Sequence, residues 1–268
     1  MLNTPSAVEL RDLAVRLAKS AGAELLSRQT GLSIDSAGVE TKSSASDPVS
    51  AADRASEKLI TDGLVVARPG DGLLGEEGAA KPSSTGLTWV IDPLDGTVNY
   101  LYGRLDWCVS IAVEDESGAL AGAVHQPRTG ITWSAARGEG AQRDGVPLGS
   151  PLREVEPAAA LVSTGFSYLP ERRAEQADHL SRVLPAVRDI RRGGSAALDL
   201  CSVADGTADA YYEHVIQPWD ISAGALIARE AGAHVIAGPG TALPHGVLAA
   251  PPDLAAALVE LLTPRRLG

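Results

Sequence analysis

The sequence predicts a fold of the α+β class, and three observations support this prediction. Two long segments near the start have apolar residues at helical spacing. Short apolar runs bounded by turn residues then follow one another, as the strands of a sheet do. The second half alternates strand-like and helix-like segments. Because no linker is long or biased enough to separate domains, we expect one domain over residues 1–268, with approximate halves at 1–150 and 151–268.

The first half is predicted to begin with two helices. Thr4 and Pro5 suit the start of the first helix, which continues to about residue 29. A polar, turn-rich stretch at 31–50 separates it from a second helix at 51–66. The strands predicted next lie at 87–91, 107–113, 119–125 and 131–136, with linker-like residues at 81–86 and a glycine-rich loop at 138–145.

The second half is predicted to alternate between the two kinds of element. This pattern is typical of strands that are connected by helices packed on a sheet. The predicted strands lie at 159–163, 187–190, 208–213, 234–236 and 247–249, and the predicted helices lie at 170–184, 195–204, 220–231 and 252–262.

Composition and charge exclude several classes of function. The net charge is -11 and the pI is near 4.9, which argues against bulk binding to nucleic acid or to an anionic membrane. The cysteines, Cys108 and Cys201, both lie in apolar runs, so we predict buried core residues and neither a disulfide framework nor a zinc site. No secretory signal and no apolar run of roughly 18 residues is seen. We therefore expect a cytoplasmic protein.

Three acidic groups are candidates for chemistry. Glu76 and Glu77 follow a short apolar strand, where they are either solvated loop residues or a site in which one of them points inward. Asp220 precedes an alanine-rich helix, where it is either an ordinary N-cap or a cation ligand.

The strongest candidate is the segment Asp92-Pro93-Leu94-Asp95-Gly96-Thr97, which follows a buried strand. The carboxyl end of a strand is where open sheets bind ligands. Two carboxylates on one tight turn repel each other unless a cation joins them, and glycine and threonine amides at a helix start suit a phosphate.

Taken together, these motifs resemble those of the inositol monophosphatases, of the bacterial inositol-1-monophosphatase type, within the lithium-sensitive, Mg²⁺-dependent sugar-phosphatase superfamily. The resemblance spans roughly residues 42–230 and depends on the order of seven motifs. They are Lys42-Ser43-Ser44, Asp47 to Asp53, Gly75-Glu76-Glu77, Asp92 to Thr97, Gly193 to Ala197, Tyr211-Tyr212-Glu213 and Trp219-Asp220.

The resemblance implies a layered α-β-α-β-α sandwich, a homodimer and two to three Mg²⁺ ions. The first ion would be bound by Glu76, Asp92 and the carbonyl of Leu94, and the second by Asp92, Asp95 and Asp220. Asp53 would join Glu76 at a third ion through water. Oxygen ligands suit Mg²⁺, and the scarcity of histidine in the motifs argues against zinc.

The resemblance also assigns roles around the reacting phosphate. Thr97 would position the attacking water with help from Glu76 and Asp53, Glu77 would support the metal ligands, and Lys42 would lie on a mobile loop near the metal site. The amides of Gly96 and Thr97 would bind the phosphate. The substrate hydroxyls would be met by Asp95, Gly194, Ser195, Ala196 and Glu213.

The implied reaction is hydrolysis of a phosphate monoester of a small polyol, with inositol 1-phosphate as the first choice. Sister enzymes of the superfamily acting on fructose 1,6-bisphosphate, histidinol phosphate or a nucleotide 3'-phosphate are the alternatives. Arg191 and Arg192 could serve a second phosphate or could be ordinary surface residues, and Asp199 stands where relatives often have asparagine. An alternative of another class is a regulatory, protein-binding role independent of catalysis.

Overall fold

The structure is a computed structural model that describes residues 5–29, 40–41, 48–49, 51–149, 152–239, 241, 243 and 245–263. The helices of these residues are α1 (Ala7–Gln29), α2 (Ala51–Ala67), α3 (Thr97–Leu101), α4 (Pro170–Val183), α5 (Ala196–Ala204), α6 (Pro218–Glu230) and α7 (Pro252–Leu262). The strands are β1 (Glu40–Thr41), β2 (Pro48–Val49), β3 (Gly72–Gly75), β4 (Ala80–Lys81), β5 (Thr88–Asp95), β6 (Cys108–Asp115), β7 (Gly118–Gln126), β8 (Ile131–Ala136), β9 (Ala141–Arg143), β10 (Val146–Pro147), β11 (Leu161–Thr164), β12 (Asp189–Arg191), β13 (Ala210–His214), β14 (His234–Ala237) and β15 (Gly246–Ala250).

The described part of the first half forms an eight-stranded sheet in the order β10-β9-β8-β7-β6-β5-β3-β4. β5 runs parallel to β3 and antiparallel to β6. The register between β5 and β6 shifts by one residue between Asp92 and Asp95. Such a bulge bends the strand and redirects its side chains, and here it lies at the acidic turn.

The described part of the second half forms a five-stranded sheet in the order β12-β11-β13-β15-β14. β11 runs parallel to both β12 and β13, with α4 and α5 between these strands in the chain, as the alternating pattern predicts. β15 runs antiparallel to β13 and β14, so the sheet is mixed. β13 ends with Glu213 and His214, next to the segment that leads into α6.

The apolar clusters show how the layers stack. α1 and α2 cover one face of the first sheet, where Leu10 and Ile60 pack on Trp89 and Ile111. α5 and α6 pack between the two sheets, because their residues belong both to the cluster on the first sheet and to the cluster on the second. α4 and α7 cover the outer face of the second sheet. The predicted order α-β-α-β-α is therefore confirmed.

Small residues let the central helices approach the first sheet closely. A Cβ atom on Gly122 of β7 would lie 3.1 Å from the Cβ atom of Ala223 on α6. Cys108 and Cys201 lie in the same central layer, and both are buried and free, as predicted. The chain has one phenylalanine. At these contacts, small alanine and glycine residues let the elements approach each other closely, so that large aromatic side chains are not needed to fill the space.

Several element boundaries differ from the predicted ones. β5 continues beyond residue 91 to Asp95, and α6 begins at Pro218 and not at Asp220. Residues predicted as loop or linker contain the short strands β4, β9 and β10, which lie at or next to the sheet edges. Short edge strands do not need an apolar pattern, because one side faces solvent. None of the described helices combines the length and apolar character that crossing a bilayer requires.

Asp71 fastens the end of α2 to the first sheet. The residue is 1% exposed, and its two carboxylate oxygens accept hydrogen bonds from Arg68, the Thr85 hydroxyl at 2.7 Å and the indole N–H of Trp89 at 2.9 Å. Burial alone would raise the pKa of Asp71, but these hydrogen bonds outweigh it and lower the pKa. Asp71 is therefore ionised and fully paired in the fold.

We expect Asp71→Ala to destabilise the protein by about 3–5 kcal/mol, because the partly exposed guanidinium of Arg68 and the buried indole of Trp89 lose their partner. Urea unfolding measures this change. Asp62→Ala, which removes an exposed ion pair with Lys58, is the control and should change the free energy of unfolding by less than about 1 kcal/mol. Because the folded pKa of Asp71 is lowered, its contribution is present above pH 3.8 and is lost as the pH falls below that value. Equal effects of both variants would contradict the assigned role.

Candidate active site

The turn after β5 is held in one conformation by local contacts. The Asp92 carboxylate accepts a hydrogen bond from the amide of Leu94 at 3.0 Å, and the Thr97 hydroxyl donates to the Leu94 carbonyl at 3.1 Å. Gly96 has a φ of 90°, and a Cβ atom there would lie 2.8 Å from the Asp106 carbonyl oxygen. Only glycine meets both conditions. As the residues at the start of α3, Gly96 and Thr97 have amides without an acceptor inside the helix.

Asp95 connects this turn to α5. Its Oδ2 atom accepts hydrogen bonds from the Ser195 hydroxyl at 2.7 Å and from the amide of Ala197 at 2.8 Å. Ser195 is also the N-cap of α5 and accepts from the amide of Leu198. The Ser195 hydroxyl, which the resemblance assigns to the substrate, thus binds a carboxylate of the first sheet. Burial raises the pKa of Asp95 to about 6, although these hydrogen bonds oppose the increase.

Asp220 lies in the first turn of α6. Of the two alternatives left open by the sequence, the N-cap is excluded, because Pro218 opens the helix and Gln217 precedes it as the N-cap. The Asp220 carboxylate accepts a hydrogen bond from the amide of Gln217 at 2.9 Å, which is how an acidic residue at the third helical position closes a helix start.

Five of the predicted metal ligands, from distant parts of the chain, line one cavity. The cavity has a volume of about 110 Å³. Its wall also contains the predicted phosphate-binding and substrate residues. The lining residues predicted from the sequence are Glu76, Asp92, Leu94, Asp95, Gly96, Thr97, Gly194, Ser195, Ala196, Glu213 and Asp220. Asp53 and Glu77 are not part of the lining, and Lys42 lies outside the described residues.

Each carboxylate of this cavity makes the ionised form of its neighbours less favourable. Burial raises the pKa of Asp92 well above its ordinary value, and the charges of Glu76 and Asp95 raise it further. Burial and the charge of Asp95 act in the same direction on the pKa of Asp220. Asp53 on α2 also contributes to the shift at Asp92, which places its charge close to the cavity. The repulsion within such a group of acids is reduced either when protons bind to the carboxylates or when a cation binds between them.

The donor set fits Mg²⁺, because every side chain offers oxygen and none offers sulfur or imidazole. Within the described ranges, however, no three Asp, Glu, His or Cys side chains are already grouped as ligands of one ion. The fit therefore depends on donor chemistry and on the shared cavity, and the carboxylates would have to close around a cation when it binds.

The sequence analysis missed Glu57, which holds the turn that carries Glu76. Its carboxylate accepts hydrogen bonds from the amides of Glu77 at 2.9 Å and Ala79 at 3.0 Å. Burial raises the pKa of Glu57 despite these bonds. Asp53 and Glu57 are four residues apart and both are buried on one face of α2. In the sequence, the available signal for Glu57 was its spacing of four residues from Asp53 on the predicted second helix, which places both acids on one face.

The opposite wall of the cavity comes from the second sheet and α5. Glu213 accepts a hydrogen bond from the Tyr211 hydroxyl at 2.8 Å, and burial raises the pKa of Glu213 to about 7. Burial and the nearby charge of Glu213 raise the pKa of Asp199 well above its ordinary value. Arg192, whose charge acts on both acids, also lines the cavity. This wall offers hydrogen-bond acceptors to a ligand rich in hydroxyl groups.

We expect Ser195→Ala to reduce kcat by about 10-fold, the lower end of the range for loss of a group that orients a metal ligand. Loss of the helix cap should cost about 1 kcal/mol of stability in addition. Steady-state kinetics and urea unfolding measure the two effects. Ser195→Thr keeps the hydroxyl and should retain more activity, whereas Ser202→Ala, on the same helix, should leave kcat unchanged. Equal kcat values for all three variants would contradict the role of the hydroxyl.

Comparison with known sequences decides the family. A sequence model of the "Inositol monophosphatase family" matches residues 7–265. The chain belongs to the inositol monophosphatase family. Within this family, the inositol-1-monophosphatase of Mycobacterium leprae is 44% identical, over 95% of this chain and 93% of that protein. The Nus factor SuhB of Xylella fastidiosa is 40% identical, over 84% of this chain and 80% of that protein.

Solved structures of the inositol monophosphatase family have the same fold. The extragenic suppressor protein suhB from Bartonella henselae superposes with a TM-score of 0.88 and 32% sequence identity, covering 96% of this chain and 99% of that chain. The predicted fold and family are both confirmed, while the roles of the individual site residues stay predictions.

Proposed function

We propose that this protein is a Mg²⁺-dependent phosphate monoester hydrolase that acts on a small polyol phosphate, with inositol 1-phosphate as its first substrate. The observation that carries the proposal is the shared cavity of Glu76, Asp92, Asp95 and Asp220, beside the turn at Gly96 and Thr97. The names of the relatives support the same activity, since several are called inositol-1-monophosphatase.

In this proposal the acids hold the cation and the turn holds the phosphate. Glu76, Asp92, Asp95, Asp220 and the Leu94 carbonyl would hold two Mg²⁺ ions, and Asp53 would contribute to a third. When bound, Mg²⁺ offsets the charge of the phosphate and lowers the pKa of a bound water.

The attacking water and the phosphate are proposed to contact groups that the fold holds in a fixed orientation. Because the Thr97 hydroxyl donates a hydrogen bond to the Leu94 carbonyl, its oxygen is free to accept a hydrogen bond from the attacking water and so to orient it. Glu76 accepts a proton from the same water. The amides of Gly96 and Thr97 donate to the phosphate oxygens, as the start of a helix does for anions.

The substrate side is proposed to recognise hydroxyl groups. Glu213 and the segment Gly194 to Ala196 line the same cavity as the acidic turn. A polyol has many hydroxyl donors, and buried carboxyl groups accept from them strongly. A second phosphate on the substrate would meet Asp199 and Glu213 together with Arg192, so a monophosphate is favoured over a bisphosphate.

A panel of phosphate monoesters tests the proposal. Phosphate release is measured from inositol 1-phosphate, fructose 1,6-bisphosphate, histidinol phosphate and a nucleotide 3'-phosphate, with Mg²⁺ and with EDTA. We expect the highest kcat/KM for inositol 1-phosphate, no release with EDTA, and inhibition by millimolar Li⁺. A faster alternative substrate would overturn the inositol assignment alone. No Mg²⁺-dependent release from any monoester would overturn the hydrolase.

A homodimer is part of the proposal, because the resemblance to the family implies it. Light scattering after size-exclusion chromatography measures the molar mass directly. A mass near twice 27.6 kDa is expected, and a mass near 27.6 kDa would contradict the dimer.

A second role, binding a protein partner, is favoured by the name Nus factor SuhB that some relatives carry. Partner capture by the wild type and by Asp92→Asn separates the two roles. Capture that survives the loss of hydrolysis would support a separate role, and absence of any captured partner would contradict it.

A further inference from the structure

A second cavity lies outside the catalytic cleft. It occupies the space between the first turn of α4, the segment from β13 to α6, the hairpin from β6 to β7, and residues 237–239 and 245–246. Its volume is about 610 Å³, within the range of roughly 300–1,000 Å³ that small-molecule sites occupy. Ile216 lines both this cavity and the catalytic one, so the two are neighbours. We call it the α4–α6 cavity.

Basic side chains dominate the charge of the α4–α6 cavity. Its lining includes two permanently charged side chains, Arg172 and Arg229, and two histidines, His214 and His245, whereas Glu114 is its one acidic lining residue within the described chain. The balance is unusual in a protein whose net charge is -11. Clustered positive charge of this kind raises the local concentration of anions.

The acids near this cluster that the structure describes are already engaged, and none of them pairs with Arg229. Glu114 accepts a hydrogen bond from the Ser222 hydroxyl at 2.6 Å, and Arg172 forms an ion pair with Glu175 at 3.1 Å. Among the described residues, no carboxylate forms an ion pair with Arg229. The guanidinium of Arg229 is therefore available to an anionic ligand.

The basic groups also oppose one another's charge. Burial lowers the pKa of His214, and the neighbouring His245 and Arg172 lower it further, while Glu175 acts in the opposite direction. For Arg229, burial alone lowers the pKa. A bound anion would favour the charged form of both side chains.

The wall beside the basic groups is apolar and conformationally fixed. Val215, Ile216, Pro218, Ile221 and Ala225 line it. Val215 has a φ of 68°, in the left-handed region that a β-branched residue rarely adopts, and its amide donates to the His245 carbonyl at 2.7 Å. Strain of this kind persists where surrounding contacts enforce it and is concentrated at functional sites.

We propose that the α4–α6 cavity binds a small anionic metabolite that carries a phosphate or carboxylate group and an apolar portion. Arg229 and Arg172 contact the anionic group, and the wall from Val215 to Ala225 contacts the apolar portion. This site is separate from the catalytic cleft and does not depend on the proposed hydrolysis.

Calorimetric titration of the full chain in EDTA tests the site. Without Mg²⁺, the catalytic cleft presents acids that repel anions, so binding there is suppressed. The probes are phenylphosphonate, inorganic phosphate and benzoate. We expect phenylphosphonate to bind more tightly than inorganic phosphate. Titration with benzoate shows whether a carboxylate group can take the place of the phosphonate group in binding.

Variants decide where the probe binds. Arg229→Gln should weaken phenylphosphonate binding by about 10-fold, as expected for one lost charged contact, and the Arg172→Gln, Arg229→Gln double variant should weaken it further. Arg143→Gln, which changes an arginine paired with Asp205, and Asp95→Asn, in the catalytic cleft, should leave binding unchanged. No binding of any probe, unchanged binding in the double variant, or loss of binding in Asp95→Asn would each overturn the proposal.

Discussion

Replacing Asp92 by asparagine should abolish Mg²⁺-dependent phosphate release and yet stabilise the metal-free protein. Asp92 is 1% exposed and is surrounded by the charges of Glu76, Asp95, Asp220 and Asp53. Asparagine keeps the oxygen that accepts from the Leu94 amide, so the turn should persist. It removes the charge proposed to bridge two cations. We therefore expect kcat/KM to fall by more than about 100-fold, beyond the loss caused by outer partners of a metal site.

Two measurements on the same Asp92→Asn sample test this expectation. The melting temperature in EDTA should exceed that of the wild type, because one buried charge no longer repels the others. The increase in melting temperature that Mg²⁺ gives the wild type should be absent. Asp62→Asn, at the exposed ion pair of α2, should behave like the wild type in both respects. An Asp92→Asn protein with near-normal turnover would disprove the assigned role.

The metal-free protein should become less stable between pH 4 and pH 6, and Mg²⁺ should remove this loss. The Asp95 carboxyl has a pKa of about 6 in the fold against 3.8 in the unfolded chain. Because the folded state binds this proton more tightly, the stabilising contribution is complete below pH 3.8 and is lost as the pH rises to about 6. The change in pKa corresponds to about 3 kcal/mol at Asp95 alone. The raised pKa values of Asp92 and Asp220 extend the loss to higher pH.

Urea unfolding at a series of pH values, with EDTA and with Mg²⁺, measures this dependence. The stabilisation by Mg²⁺ should be larger at pH 7.5 than at pH 5, because the cation replaces protons that the acids have released. Asp95→Asn should flatten the pH dependence in EDTA. If Mg²⁺ stabilised the protein equally at both pH values, the acids of the cavity would not be the groups that bind it.

Local sequence patterns predicted the helices and strands well, because each pattern depends on residues that are close together in the chain. The helical spacing before residue 29 and the apolar run before Asp92 were read correctly, since burial of one face requires those residues. The predicted start of α6 at Asp220 was two residues late, because both Pro218 and Asp220 are residue types that suit a helix start. The short strands β4, β9 and β10, at or next to the sheet edges, have no apolar pattern.

The candidate site was predicted through motif order, and its contacts were not. The hydrogen bond from Ser195 to Asp95 joins residues 100 positions apart, and no local pattern reports such a pairing. Glu57 was missed because its role depends on the fold of α2 against the turn at Glu77. The α4–α6 cavity gathers residues from four connections, none of which has a distinctive sequence by itself.

The cleft has one wall from each sheet, and this has a consequence for how new activities could arise. Glu76, Asp92 and Asp95 belong to the first sheet and its turns, whereas Glu213 and the residues around Gly194 belong to the second sheet and α5. Exchange of the segment 161–216 between homologues should therefore transfer substrate preference while the recipient's hydrolytic machinery, including Asp220 on α6, stays in place. Selection among such chimeras would change the substrate and leave the residues of the hydrolytic step unchanged.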